Sequence, residues 1–319
     1  MLMTKDELME VIKDNIKEYL PEHIADSCEV QIVEVAKNND RVLKGFVFDR
    51  GENMPCPTFY IEDAYEHYLR GDTPQEIMED LANAVEQSWD MKLPVIDMDL
   101  DYEKIKDHLG YQLVDSEHNR ERLGSCIHTK MGNDLAMIYY IEHEHEDGFS
   151  RAVITNEMAE AMGYDAEQLK KDAKISMERL HPPLLFSGRE MAKKGPNYEI
   201  DNLLDYHDMV LDDRMYILTN EENRYGASSI MYEGLQEKLG NMVQGNYYVI
   251  PSSNVEVMIV PVKGGPDARE IINAIRDANE NFVGPDEFLS NRLFMYDRGE
   301  KLLAEVKVPN RGRNIEWER

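Results

Sequence analysis

Apolar residues in this chain change period from one segment to the next, and that alternation limits the folds open to it. Short strand-like runs come in pairs around turn residues, and stretches with helical spacing lie between the pairs. Residues 30–35 and 42–48 flank Asn38-Asn39-Asp40, residues that tolerate left-handed backbone. Residues 126–130 and 135–143 flank Gly132-Asn133-Asp134. Residues 247–250 and 255–260 join through Pro251-Ser252-Ser253-Asn254, and residues 293–296 and 302–306 flank Arg298-Gly299. Paired strands separated by helices, without strict strand-helix-strand alternation, predict an α+β fold of antiparallel hairpins packed with helices.

The helices announce themselves by their caps. Thr4 and Glu7 have capping-box spacing ahead of Leu8, Val11, Ile12, Ile16 and Leu20. Thr73-Pro74-Gln75-Glu76 repeats the box with proline at the first helical position, ahead of Ile77, Leu81, Val85 and Trp89. A helix over 60–69 should stop at Gly71, and one opened by Asp165 carries Leu169, Ala173, Met177 and Leu180 on one face. Further helices are expected over 102–109, over 227–243, and from Gly265-Pro266 to residue 278. Residues 184–212 show no clear period. The pattern divides into an N-terminal α+β lobe (1–95), a main α+β region (96–308) and a polar tail (309–319), with two lobes of similar size as one arrangement.

The longest apolar runs, 135–141 and 255–262, suit strands and are too short to cross a bilayer. The start, Met1-Leu2-Met3-Thr4-Lys5-Asp6-Glu7, has no apolar stretch after a basic opening, so no secretory signal is expected. Three isolated cysteines, Cys28, Cys56 and Cys126, argue against a disulfide framework and for reduced thiols. The expectation is a soluble, cytoplasmic protein of bacterial type with no membrane partner. With 63 acidic and 35 basic side chains the formal charge is -28. Direct nucleic-acid binding is not expected, because it needs clustered Lys and Arg. Such a charge keeps molecules dispersed, and it also suits a basic protein partner or mimicry of nucleic acid.

Several blocks, in order, resemble an uncharacterised domain-of-unknown-function family found mainly in anaerobic gut bacteria. They are Lys37-Asn38-Asn39 with Leu43-Lys44-Gly45, Pro57-Thr58-Phe59-Tyr60-Ile61-Glu62, Asp101-Tyr102-Glu103-Lys104-Ile105-Lys106, Asp134-Leu135-Ala136, and Gly226-Ala227 leading to Ile250-Pro251-Ser252-Ser253. In that family the Pro-Ser-Ser segment commonly continues with Ile, His and Glu. Here it reads Asn254, Val255, Glu256, so chemistry through that histidine is closed to this chain. The resemblance implies kinship of fold and no mechanism.

Candidate sites are few. In Glu142-His143-Glu144-His145, alternation along a strand puts His143 and His145 on one face, and His128 on the partner strand could add a third zinc ligand. That arrangement would suit a metal-assisted hydrolase, and an exposed charged hairpin end is the plainer reading. Ser252, Ser253 and Asn254 form a candidate binding loop between two strongly apolar strands. Asp97, Asp99 and Asp101 imitate a calcium loop, but Tyr102 stands where glycine is needed, and Asp101 as a helix cap accounts for them better. Tyr206-His207-Asp208 could pair a base with an acid, Tyr60, Tyr65 and Tyr68 could form a stacking patch, and Gly264-Gly265-Pro266 could hold an anion at a helix end. No cofactor is indicated. The favoured function is a non-catalytic binding or interaction protein. The alternatives are the hydrolase and an acidic mimic or inhibitor of a nucleic-acid-binding protein. The deciding question is whether His128, His143, His145, His181 or His207 converge with acids in one cleft.

Overall fold

The structure, a computed structural model, describes residues 2–51, 56–89, 101–132, 134–145, 148–189 and 200–308, with side chains described for all of these except 143–145 and 148–150. The chain forms two compact units, Met1–Met98 with His145–Ser150 and Asp99–Glu144 with Arg151–Arg319. The second is the larger, so the lobes are unequal and not similar in size. Both mix helices with antiparallel sheets, an α+β fold. No helix among the described residues is long and apolar enough to cross a membrane.

The first unit runs α1 (Lys5–Asn15), α2 (Glu22–Ala25), β1 (Glu29–Ala36), β2 (Val42–Asp49), β3 (Thr58–Tyr60), α3 (Ile61–Arg70) and α4 (Pro74–Trp89). The capping boxes form as the sequence requires: Glu7 N–H donates to Thr4 Oγ1 at 3.3 Å, and Thr4 N–H donates to Glu7 Oε2 at 2.7 Å. Thr73 and Glu76 do the same at 3.3 and 2.8 Å. Asn39 and Asp40 take φ of 61° and 49° in the β1–β2 turn. Leu8 and Ile12 of α1, with Ile16 just past its end, pack with Phe46, Ile61, Ile77 and Val85 to make the core. The tyrosines of α3 tie down the chain start. The Tyr68 hydroxyl accepts from Met3 N at 3.0 Å, and the Tyr65 hydroxyl donates to Met3 O at 3.3 Å.

The second unit runs α5 (Tyr102–Ile105), β4 (Leu109–Asp115), α6 (Arg120–Ser125), β5 (His128–Met131), β6 (Leu135–His145) as far as Glu144, β7 (Gly148–Val153) from Arg151 onward, α7 (Asn156–Met162), α8 (Ala166–Leu180), β8 (Pro183–Ser187), β9 (Tyr216–Asn220), α9 (Leu235–Val243), β10 (Tyr247–Ile250), β11 (Val257–Pro261), α10 (Ala268–Asn281), β12 (Phe294–Asp297) and β13 (Leu302–Glu305). Three expectations need correcting. The helix from Tyr102 tightens into a 3-10 turn over Lys106–His108, and at Leu109 an unforeseen strand, β4, begins, every residue of it buried, so the alternation that marks a half-exposed strand is missing. The helix expected over 227–243 splits at Gly234, whose φ of 74° cannot continue a helix, into a 3-10 turn (Gly226–Met231) and α9. The segment without a period contains β8.

One sheet has the order β4-β6-β5, with β7 also paired to β6. The other has six antiparallel strands in the order β13-β12-β10-β11-β9-β8. Its register sorts side chains between two faces. Tyr247, Val249, Val257, Ile259, Tyr216 and Leu218 enter the large core shared with α8 and α9. The opposite face presents the row Phe186, Ile217, Met258 and Ile250. On that face α10 seats Ile271 and Ile275 against Leu293, Tyr248 and Ile250. Five strand intervals span roughly 24 Å, whereas a helix with its side chains covers about 10 Å. A single helix therefore leaves a strip of sheet on either flank.

The 3-10 turn meets the sheet at Gly226, where a Cβ would fall 2.2 Å from Thr219 Oγ1 and 2.3 Å from Val255 O. Gly226→Ala should therefore cost about 2 kcal/mol of stability. Urea unfolding checks this, and a midpoint equal to that of the native chain would show the junction to be loose.

Candidate functional site

The strip beside α10, over β11 and the segment leading into β9, is a groove of about 1070 Å³. Its floor is Met258 and Val260 of β11 and its wall is Ile271, Ala274, Ile275 and Ala278 of α10. Alternation along β11 supplies the floor, because Val257 and Ile259 point to the core and leave the intervening residues outside. Phe282, 83% exposed, stands at the rim just past the helix. Its ring adds apolar surface to the rim and is not packed into the core.

One end of the groove is polar. Ser252 and Ser253 line it, with Pro251 and Glu256. Ser252 Oγ lies 3.1 Å from Glu256 O and 3.2 Å from Glu256 Oε1. Burial pushes the Glu256 carboxyl above its ordinary range, against the lowering effect of that hydroxyl. Ser253 Oγ accepts from Val255 N at 3.0 Å, so this serine braces the turn. Asn254 does not face the groove. It is buried, donating its side-chain amide to Asp286 O at 3.0 Å and its backbone N–H to Glu287 O at 2.8 Å. Glu270 and Glu287 complete an acidic rim, with Arg214 as the opposing charge.

A second polar constellation lies in the interior of the same unit. Glu142 of β6 and His181, which caps the end of α8, are only 2% and 1% exposed. His181 Nδ1 is 3.1 Å from Glu222 Oε2, and Nε2 is 2.9 Å from Glu142 Oε1. The second contact is an ion pair off the line of the N–H, and neither of its atoms has a hydrogen bond among the described residues. Arg151 Nε donates to Glu142 Oε2 at 2.9 Å, and the guanidinium lies 4.0 Å over the Tyr140 ring and 4.4 Å over the Tyr225 ring. Tyr225 holds this position with a φ of 48°, uncommon for an aromatic residue. Burial alone would lower the His181 pKa, but the two carboxylates outweigh it and raise it. Burial alone would raise Glu142, but His181 and Arg151 hold it at about 2. A protonated imidazole between two carboxylates has no lone pair to offer a metal or a substrate. The cluster acts as a charged clamp on β6, β7, the end of α8 and the turn after β9.

The other sequence candidates do not gather here. The side chains of His143 and His145 lie outside the described residues, as do Asp97 and Asp99. His128 stands opposite Ile138 in the β5–β6 register, five residues or roughly 17 Å along the strand from His143. The register therefore does not bring His128 to that pair, and its Nδ1 sits 3.1 Å from Cys126 O. Among the described residues no group of three or more His, Cys, Asp or Glu is placed to hold a metal. Asp101 caps α5, accepting from Glu103 N at 3.2 Å. Tyr206 is exposed and Asp208 has a φ of 58°, as in a surface loop. The Gly264-Gly265-Pro266 turn lines the groove.

The family described as "Family of unknown function (DUF5688)" matches residues 5–298. The chain belongs to that family. No curated protein and no solved structure matches it. In this DUF5688 member the Pro251-Ser252-Ser253 turn does structural service, since Thr219 Oγ1 donates to Val255 O at 2.8 Å and fastens the turn to β9.

The clamp has a pH signature. A histidine whose folded pKa is raised contributes stability that is complete below the unfolded pKa and is lost as pH rises through the folded one. Glu142, held low, contributes above the ordinary carboxylate range and loses that as pH falls toward about 2. His181→Gln should therefore be most destabilising below about pH 6 and progressively less so at alkaline pH. Glu142→Gln strands Arg151 and His181 and should cost about 3 kcal/mol at neutral pH. Urea unfolding across pH measures both, and a pH-independent gap between His181→Gln and the native chain would dismiss the charged imidazole.

Proposed function

We propose that this chain is a non-catalytic binding protein, and that the groove beside α10 takes the apolar side of a basic amphipathic segment of a partner protein. The observation that carries the reading is the groove itself, an open apolar channel with exposed Phe282 at its rim and Glu256, Glu270 and Glu287 around it. A channel of about 1070 Å³ matches the upper range of ligand sites. Glu256, with its carboxyl already partly desolvated, gains from a cation brought to the end of the groove. The formal charge of -28 draws a basic partner from a distance, and the apolar floor supplies the affinity once it arrives. The three cysteines, all outside disulfides, support action in the reducing cytoplasm of a bacterial cell.

Titration calorimetry with two synthetic helical peptides, one Leu/Lys and one Leu/Glu, tests the reading. The Leu/Lys peptide should bind and its acidic counterpart should not. Ala274→Trp, which fills the groove from an exposed helix position, and Phe282→Ser should each weaken binding by about tenfold. Binding that ignores both substitutions would reduce the effect to bulk charge attraction and end the proposal.

A further inference from the structure

The strip on the other flank of α10 has the opposite character. It is a cavity of about 660 Å³ between α10 and the β12–β13 edge. Arg269, Asn273 and Arg276 line it from the helix, and Arg292, Glu305 and Lys307 from the sheet. Its apolar floor is Ile272, Leu293 and Val306. In a chain whose formal charge is -28, four cations and one carboxylate face this space. The carboxylate is already engaged. Arg292 Nη1 donates to both oxygens of Glu305 at 2.9 and 3.0 Å, and its other nitrogen pairs with Asp134. Arg276 and Asn273 have no hydrogen bond or ion pair among the described residues. They sit three apart on α10, so both present to one side of the helix.

We infer that this cavity binds a small organic polyanion, with Arg276 and Arg269 as anion-contacting forks and Asn273 as a neutral donor. Guanidinium groups match the planar oxygen pairs of phosphate and carboxylate, which ammonium groups do not. The volume exceeds that of a lone phosphate, so an organic body rests on Ile272, Leu293 and Val306. A nucleic-acid strand fits less well, because it needs a continuous basic track, whereas here the cations gather around one open pocket. This site is independent of whatever fills the groove on the opposite flank.

Calorimetric titration of the intact chain with inorganic pyrophosphate and, separately, with citrate tests the inference and distinguishes the two anion chemistries. At least one should bind saturably, and the tighter of the two assigns phosphate or polycarboxylate. The double substitution Arg269→Gln, Arg276→Gln should weaken that binding by about tenfold or more, while Lys263→Gln, outside the cavity, should leave it unchanged. Should the double variant fail to fold, Arg276→Gln alone, at an exposed position, carries the same reading. Saturation by neither anion, or an equal loss in Lys263→Gln, would overturn the site.

Discussion

A six-stranded antiparallel sheet is wider than one helix, and the features of the second unit that invite function arise from that mismatch. The inner face of the sheet is fully used, with Tyr247, Val249, Ile259 and Leu218 in the large core. The outer face carries α10, anchored by a small cluster around Ile271, Ile275 and Leu293. Two strips of sheet remain, and strand alternation guarantees that they carry side chains of their own, since Met258 and Val260 cannot turn inward without exchanging places with Val257 and Ile259. A second helix on this face would bury the strips and make an ordinary sandwich. Without it the sheet offers two concave surfaces on either side of a single rod.

The helix then gives the two surfaces opposite chemistry. Residues 270, 271, 274, 275 and 278 face the first groove, and 269, 272, 273 and 276 face the second cavity. At 100° per residue these sets lie on the two shoulders of α10, with Ile271 and Ile275 toward the sheet between them. Small and acidic residues on one shoulder, and arginines on the other, sort the ligands each strip can take. In the same unit, the charged clamp around His181 ties β6 and β7 to the end of α8 and the turn after β9. Glu142, Arg151, His181 and Glu222 come from four separate segments, and loss of Glu142 takes from Arg151 and His181 the buried carboxylate they share.

Local signals are legible in the sequence wherever the chemistry is local. The capping boxes at Thr4 and Thr73, the left-handed turn at Asn39 and the helix stop at Gly71 need only residues a few positions apart, and each forms as expected. β4 escapes a periodicity reading because burial on both faces erases alternation, and β8 because five residues give too short a period to recognise. Ser252 and Ser253 stand out as a turn between apolar strands, which is a local pattern, and they do line the groove. Asn254 shares their turn by adjacency alone, and its amide is used internally. Glu142 is visible in the sequence only as part of a charged run, and no spacing rule connects it to His181, thirty-nine positions later.

The basic cavity shows most clearly why a charge count could not find it. Arg269 and Arg276 sit in a helix among acids, Arg292 precedes one strand and Lys307 comes after another, so no window of the sequence is basic. Net charge averages over the molecule, while a ligand samples potential within about a Debye length, roughly 8 Å at physiological salt. Within that radius the sign is set by which segments the topology brings together. Antiparallel pairing of β12 with β13 places the residues before one strand beside those after the other, and α10 crosses the same edge. A chain with a large excess of acid can thus present an anion site, because beside the four cations a single carboxylate, Glu305, lines this cavity.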